Sequence, residues 1–204
     1  MKNLGRIVAK LESELDEKDR VREGAMRSSR SIVRLAGSAI HGLHRGVDVK
    51  KDLVALKKEV SRLSRLLSKH PDIAVAGYVE TAYQEYAEAC ILLSLLEKDD
   101  VPAPEELGIG GAAYLLGLAD SIGELRRFCL DALKSGDVTR ADHLLGQMEE
   151  IFAALMRFDY PEAVVPIRRK QDVARSLLEK TRGEVAVAAS ATRLHERLDR
   201  TLKG

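Results

Sequence analysis

Residues 73–96, IAVAGYVETAYQEYAEACILLSLL, carry only three charged side chains, Glu80, Glu85 and Glu88. Residues 107–125, LGIGGAAYLLGLADSIGEL, carry only Asp120 and Glu124. A segment this apolar on nearly every face reads as a buried helix. Neither stretch alternates apolar with polar residues, as a half-buried strand would. The uncharged runs within them are too short or too broken by glycine to span a bilayer.

Outward from these two segments the pattern stays helical. A first helix is predicted from about Leu4 to Leu43, ending at Gly42/Gly46, with Val21, Met26, Ile32, Val33, Leu35, Ala36 and Ile40 among its apolar positions. A second runs from Asp48, a plausible N-cap, to Lys69, with Leu53, Leu56, Val60, Leu63, Leu66 and Leu67 on one stripe. Pro71 is placed to open the third, which runs to about Lys98. The Asp99–Pro104 segment is a loop, and a fourth helix spans roughly Gly111 to Leu133. A fifth, opened by Asp137 or Thr139, continues to Phe158. Residues 167–202 form one helix, or two broken near Gly183.

The composition agrees: 204 residues, 4% aromatic, no Trp, 45% hydrophobic and 32% charged. A β-sandwich or barrel is excluded by the lack of alternation. No linker is long enough to separate domains and no internal repeat is visible. The expectation is an all-α single domain over residues 1–204, a bundle of six or seven long helices.

Cys90 and Cys129 both lie in apolar helical patterns, which argues against a disulfide framework or a cysteine-based zinc site. The charged, amphipathic Met1–Glu14 stretch has no apolar leader core. A soluble, cytoplasmic protein is expected.

The formal net charge of +1 argues at first against a nucleic-acid partner. Its distribution reverses that impression. Residues 1–70 hold 17 Lys/Arg against 9 Asp/Glu, whereas residues 71–125 hold one Lys against 11 acids. Residues 126–204 are close to balanced, with 15 against 12.

Buried carboxylates cost several kcal/mol unless paired, protonated or bound to metal. Glu85 and Glu88 are three residues apart and Asp120 and Glu124 four apart, so each pair shares one helix face. If the faces meet, up to four hard oxygen donors converge, a set suited to Mg²⁺ or Mn²⁺ rather than zinc. Such a site serves phosphoryl chemistry. The competing reading is a structural cluster clamped by Arg126, Arg127 or the Arg-rich helices. A di-iron bundle is disfavoured because its Glu-x-x-His pairs are absent.

A second constellation is basic. Arg20, Arg27, Arg30, Arg34, His41 and Arg45 fall within an arc of roughly 80° on a helical wheel. They would suit a phosphate backbone, or else form a solvated face. Arg168, Arg169 and Lys170 form a further basic patch at a helix start, where they oppose the macrodipole unless an anion is bound. The Gly108–Gly111 run follows no strand and is not a dinucleotide fingerprint, and His143 and His195 read as structural.

Specific strings carry a family resemblance. Tyr83-Gln84-Glu85-Tyr86-Ala87-Glu88-Ala89 resembles the Gln-Glu-Tyr-x-Glu-Ala segment of the translin/translin-associated factor X family. The run from Tyr114 to Arg127 is similar to its Tyr-Leu-x-Gly-x-x-Asp-x-x-Gly-Glu-Leu-x-Arg signature. Softer matches are Ser29-Arg30 with residues 39–45, Asp159-Tyr160-Pro161, Arg168-Arg169-Lys170 and Arg182-Gly183.

The resemblance implies an all-α subunit of a closed, often octameric, shell that holds nucleic acid. It further implies the factor X branch, whose Mg²⁺-dependent endoribonuclease activity acts on single-stranded RNA. On that reading Glu85, Glu88 and Asp120 hold the metal and Glu124 completes the catalytic set. The arginine stripe, His41 and the Arg168–Lys170 patch would bind RNA, with single-stranded DNA or short duplex RNA as further ligands. The short chain looks like a compact archaeal-type member acting as a homo-oligomer. The alternatives carried forward are a non-catalytic RNA- or DNA-binding oligomer and a scaffold that binds protein alone.

Overall fold

The leucine stripe of the second predicted helix shows why the chain folds as it does. Leu53, Leu56, Val60, Leu63 and Leu67 recur every three or four residues, and all five are buried. Each such side chain removed from water contributes about 1.5–3 kcal/mol. In the computed structural model, which describes residues 2–203 and all their side chains except those of Lys2, Glu196, Leu202 and Lys203, every regular element is a helix.

The helices are α1 (Lys2–His44), α2 (Lys50–Leu67), α3 (Pro71–Ala74), α4 (Gly77–Lys98), α5 (Pro104–Leu107), α6 (Gly111–Lys134), α7 (Val138–Leu155) and α8 (Arg168–Lys203). Six are long and two are single turns. The chain divides inside α4, between Ala89 and Cys90, into two compact units. No helix among the described residues is long and apolar enough to cross a membrane.

In the first unit α1 and α2 form an antiparallel hairpin. Small α1 residues Ala25, Ala36 and Ala39, with Ile32 and Ile40, are buried along with the α2 leucines. The hairpin closes at Gly42, where an added Cβ would lie 2.6 Å from Val49 Cγ1. The Asp48 carboxylate accepts the Lys50 amide at 2.9 Å, but the N-cap position of α2 is Val49, one residue later than the sequence suggests. Val33, read with the apolar stripe of α1, is instead exposed.

In the second unit α6, α7 and α8 pack together. Ile122 and Leu125 of α6, Met148 and Leu155 of α7, and Leu178 of α8 are fully or almost fully buried. Asp137, rather than Thr139, caps α7 by accepting the Arg140 amide at 2.9 Å.

Two predicted boundaries shift, and one alternative left open by the sequence is decided. The third helix is two: the chain turns at Val75–Ala76, where the Ala76 amide reaches back to Ile73 and the Ala76 carbonyl accepts the Val79 amide that opens α4. α7 stops at Leu155 rather than Phe158. The buried Gln171 amide donates to the carbonyls of both Leu155 (2.8 Å) and Phe158 (2.9 Å), satisfying the released backbone. α8 is unbroken at Gly183.

Candidate functional site

The acidic residues lie where the two most apolar helices place them. On α4, Glu88 is buried and Glu85 half-buried, and their three-residue spacing sets them on one face. On α6, Asp120 and Glu124 are half-buried and one turn apart. None of the four lacks an interaction partner. Glu85 and Glu88 belong to the first compact unit, Asp120 and Glu124 to the second. Among the described residues no three His, Cys, Asp or Glu side chains are gathered as a metal ion needs. As donors, four carboxylates suit Mg²⁺ or Mn²⁺, and a buried Glu88 would gain from a bound cation.

Asp120 has a second feature that sequence reading missed. The Lys170 ammonium of α8 donates to Asp120 Oδ1 at 2.5 Å, with both side chains about three-quarters buried. Beside them lies a cavity of about 380 Å³ lined by Asp120, Arg169, Lys170, Gly123 and the apolar Leu177 and Val173. Lys170 is therefore tied to the carboxylate, Arg169 lines the cavity, and Arg168 is exposed and paired with Asp159 at 2.8 Å. The run Arg168-Arg169-Lys170 was visible in the sequence. Its partner Asp120, fifty residues earlier, carried no local signal.

The competing reading clamped the acidic cluster with Arg126 or Arg127, but the side-chain bonds of Arg126 are to Thr181 and Glu184 of α8. Its guanidinium forks onto both carboxylate oxygens of Glu184 (2.8 and 2.9 Å) and also reaches the Thr181 hydroxyl. Bidentate geometry of this kind makes a strong charge-assisted contact. It clamps α6 to α8. Arg127 is exposed.

The predicted basic stripe is on the surface. Arg20, Arg27, Arg30, Arg34, His41 and Arg45 are all exposed, Arg45 lying one residue beyond α1. Arg20 donates to the Asp16 carbonyl and Arg27 makes a loose 3.5 Å contact with Glu23. Among the described residues Arg30, Arg34, His41 and Arg45 make no ion pair. Arg30 and Arg34 border an open groove of about 480 Å³ that also contains Tyr78 and Thr81 of α4.

Two ionisable groups near the start of α4 are perturbed. Burial pushes the Glu80 carboxyl above the usual range. Burial, and then the nearby Glu80 charge, pushes the Tyr83 phenol up. His143 approaches Asp99 at 3.3 Å and His195 approaches Asp199 at 4.0 Å, both on exposed surface.

Residues 20–184 match the Translin family. The chain is 36% identical over 194 residues to an uncharacterized protein of Methanocaldococcus jannaschii, covering 93% of this chain and 86% of that protein. Among solved structures, apo-NeC3PO superposes with a TM-score of 0.80 at 21% identity, covering 89% of this chain and 96% of the other. That likeness speaks to the fold alone. AfC3PO in complex with duplex RNA superposes with a TM-score of 0.75 at 28% identity, covering 90% and 97%. An all-helical chain whose sequence matches over most of its length, and whose helices superpose on these structures, belongs to the Translin family.

Proposed function

We propose that this protein is an RNA-binding, metal-dependent endoribonuclease of the factor X type, working as a closed homo-oligomer in the cytoplasm. The observation that carries the RNA part is the row of exposed, unpaired cations on and just beyond α1, Arg30, Arg34, His41 and Arg45. They lie in a chain 28% identical to a protein solved with duplex RNA. Cations that no carboxylate neutralises are free to replace the counterions of a phosphate backbone, so binding is salt-dependent and weakly base-specific. Single-stranded RNA is the proposed substrate, and an octamer the proposed assembly.

For cleavage, Glu85, Glu88 and Asp120 would hold Mg²⁺ or Mn²⁺, with Glu124 orienting the set. When bound, such an ion polarises a phosphodiester oxygen and lowers the pKa of its water. The chain's own residues do the rest. The α1 arginines would hold the strand, and Arg169 and Lys170 would provide positive charge beside Asp120 for a bound phosphate.

The second reading, a non-catalytic RNA-binding oligomer, is favoured by one observation. Lys170 already neutralises Asp120, as a structural carboxylate would require.

Incubating purified protein with labelled single-stranded RNA, in Mg²⁺ or in EDTA, separates the two. The nuclease reading expects Mg²⁺-dependent fragments that disappear when Glu85, Glu88 and Asp120 are together replaced by Ala, with the oligomer intact. Retained cleavage by that variant removes the site assignment. Tight, salt-sensitive binding without cleavage establishes the second reading.

A further inference from the structure

The groove between α1 and the first turns of α4 is built in a way that backbone binding does not explain. Its α1 wall carries Ser29, whose hydroxyl is buried, 2% exposed as a residue, and has no hydrogen-bond partner. Its neighbour Ser28, equally buried, donates to Glu59 at 2.7 Å, so burial on α1 does not by itself leave a serine unpartnered. A buried hydroxyl without a partner is destabilising, and a ligand's polar edge would recover that loss. Val33 leaves an apolar side chain exposed in the same wall, and Met26 adds a thioether. The opposite wall is the Tyr78 phenol and Thr81.

At the rim, Arg30 and Arg34 stand one helical turn apart. Two like charges at this spacing repel, and an anion between them reverses the sign. An aromatic wall, an apolar floor, one unused hydroxyl and two unpaired guanidiniums together match a nucleotide: a flat base and its phosphate. The volume of about 480 Å³ is within the range of small-ligand sites.

We infer that this groove is a subsite for one unstacked nucleobase of a single strand. Tyr78 stacks the base, Ser29 donates to or accepts from its edge, and Arg30 and Arg34 hold the adjoining phosphate. The inference rests on the RNA-binding reading above and adds base-dependent recognition of unpaired strands to it. A base inside a duplex has its edge and both faces occupied and cannot enter.

The test is equilibrium binding in EDTA, which removes cleavage from the measurement. Two fluorescent strands of equal length are compared, one a single-stranded oligoribonucleotide and one abasic with the same sugar-phosphate backbone. The unmodified protein is expected to prefer the base-bearing strand by about tenfold, the scale of one stacked base. Tyr78→Ala should remove most of that preference and leave abasic binding unchanged. Ser29→Ala, which is conservative enough to fold, should reduce the preference in the same direction. Thr81→Trp, which fills an exposed wall of the groove, should abolish it.

Equal affinity of the unmodified protein for both strands, unaltered by Tyr78→Ala and Thr81→Trp, overturns the subsite while leaving RNA binding in place. Failure to bind either strand overturns the RNA-binding reading itself. Parallel loss of affinity for both strands in Tyr78→Ala, with dissociation of the oligomer by light scattering, assigns the groove to a second copy and also overturns the subsite.

Discussion

The two compact units differ in how much of their positive charge is tied to carboxylates. In the second, cations are committed across helices: Arg126 to Glu184, Arg182 to Glu149 at 2.5 Å, Lys170 to Asp120 and Arg168 to Asp159. In the first, Lys18 pairs with Asp72 and Arg27 loosely with Glu23, but among the described residues Arg30, Arg34 and His41 of α1 make no ion pair, and alanines, isoleucines and leucines are buried where α1 and α2 pack. A cation with a carboxylate already on it holds helices together, and one without is available to a ligand. Local net charge alone does not separate these cases.

The largest expected effect that would break this contrast is at Arg126. Arg126→Ala removes a bidentate pair and a hydrogen bond to Thr181, and should lower unfolding free energy by about 2 kcal/mol in chemical denaturation. RNA affinity of the folded protein should be unchanged. A neutral outcome would show that the interhelical pairs of the second unit are as dispensable as solvated ones.

Next in size is Gly42→Ala in the first unit. A methyl group would meet Val49 Cγ1 at the hairpin's closing turn, and a loss of about 1 kcal/mol is expected from thermal or denaturant melts. This tests whether the first unit is held by close packing rather than by charge.

A smaller effect is expected at Glu80, whose carboxyl is raised by burial with no cation beside it. A carboxyl raised in the folded state favours folding only while protonated, and that contribution fades as pH rises through its folded value. Glu80→Gln should therefore raise the melting temperature near neutral pH by a degree or two and give no advantage below about pH 4. The reverse trend would place an unseen cation at Glu80.

The smallest stability effect belongs to Arg30→Ala combined with Arg34→Ala, within about 0.5 kcal/mol. The same double substitution should weaken single-stranded RNA binding and reduce the slope of log affinity against log salt by about 2. An unchanged slope would remove these arginines from the RNA-binding face.

Much of the helical architecture was legible because burial imposes a period. The stripe from Leu53 to Leu67, the Asp137 cap and the two apolar segments each announce a helix within a few residues. The boundary errors have physical causes that are not local. The turn at Val75–Ala76 replaces a continuous helix without a proline to mark it. The end of α7 is set by Gln171, whose side-chain amide captures carbonyls thirteen and sixteen residues earlier. The candidate site was legible as residue types and spacings within single helices. Which cations those acids meet was not.

By itself, the amino-acid sequence determined an all-α chain, two carboxylate pairs on apolar helices, a one-sided basic stripe and the family signatures around Glu85 and Asp120. These depend on side-chain chemistry and the 3.6-residue period, both of which are local. Only the tertiary structure decided which charges are spent. Lys170 reaches Asp120 and Arg126 reaches Glu184 because α6 and α8 pack together, whereas among the described residues no carboxylate pairs with Arg30 or Arg34. Ion pairing falls off steeply with distance and desolvation decides its worth, so partners fifty residues apart are set by packing. The orphaned Ser29 hydroxyl is a tertiary fact of the same kind, since burial without a partner is visible only once the chain has folded around it.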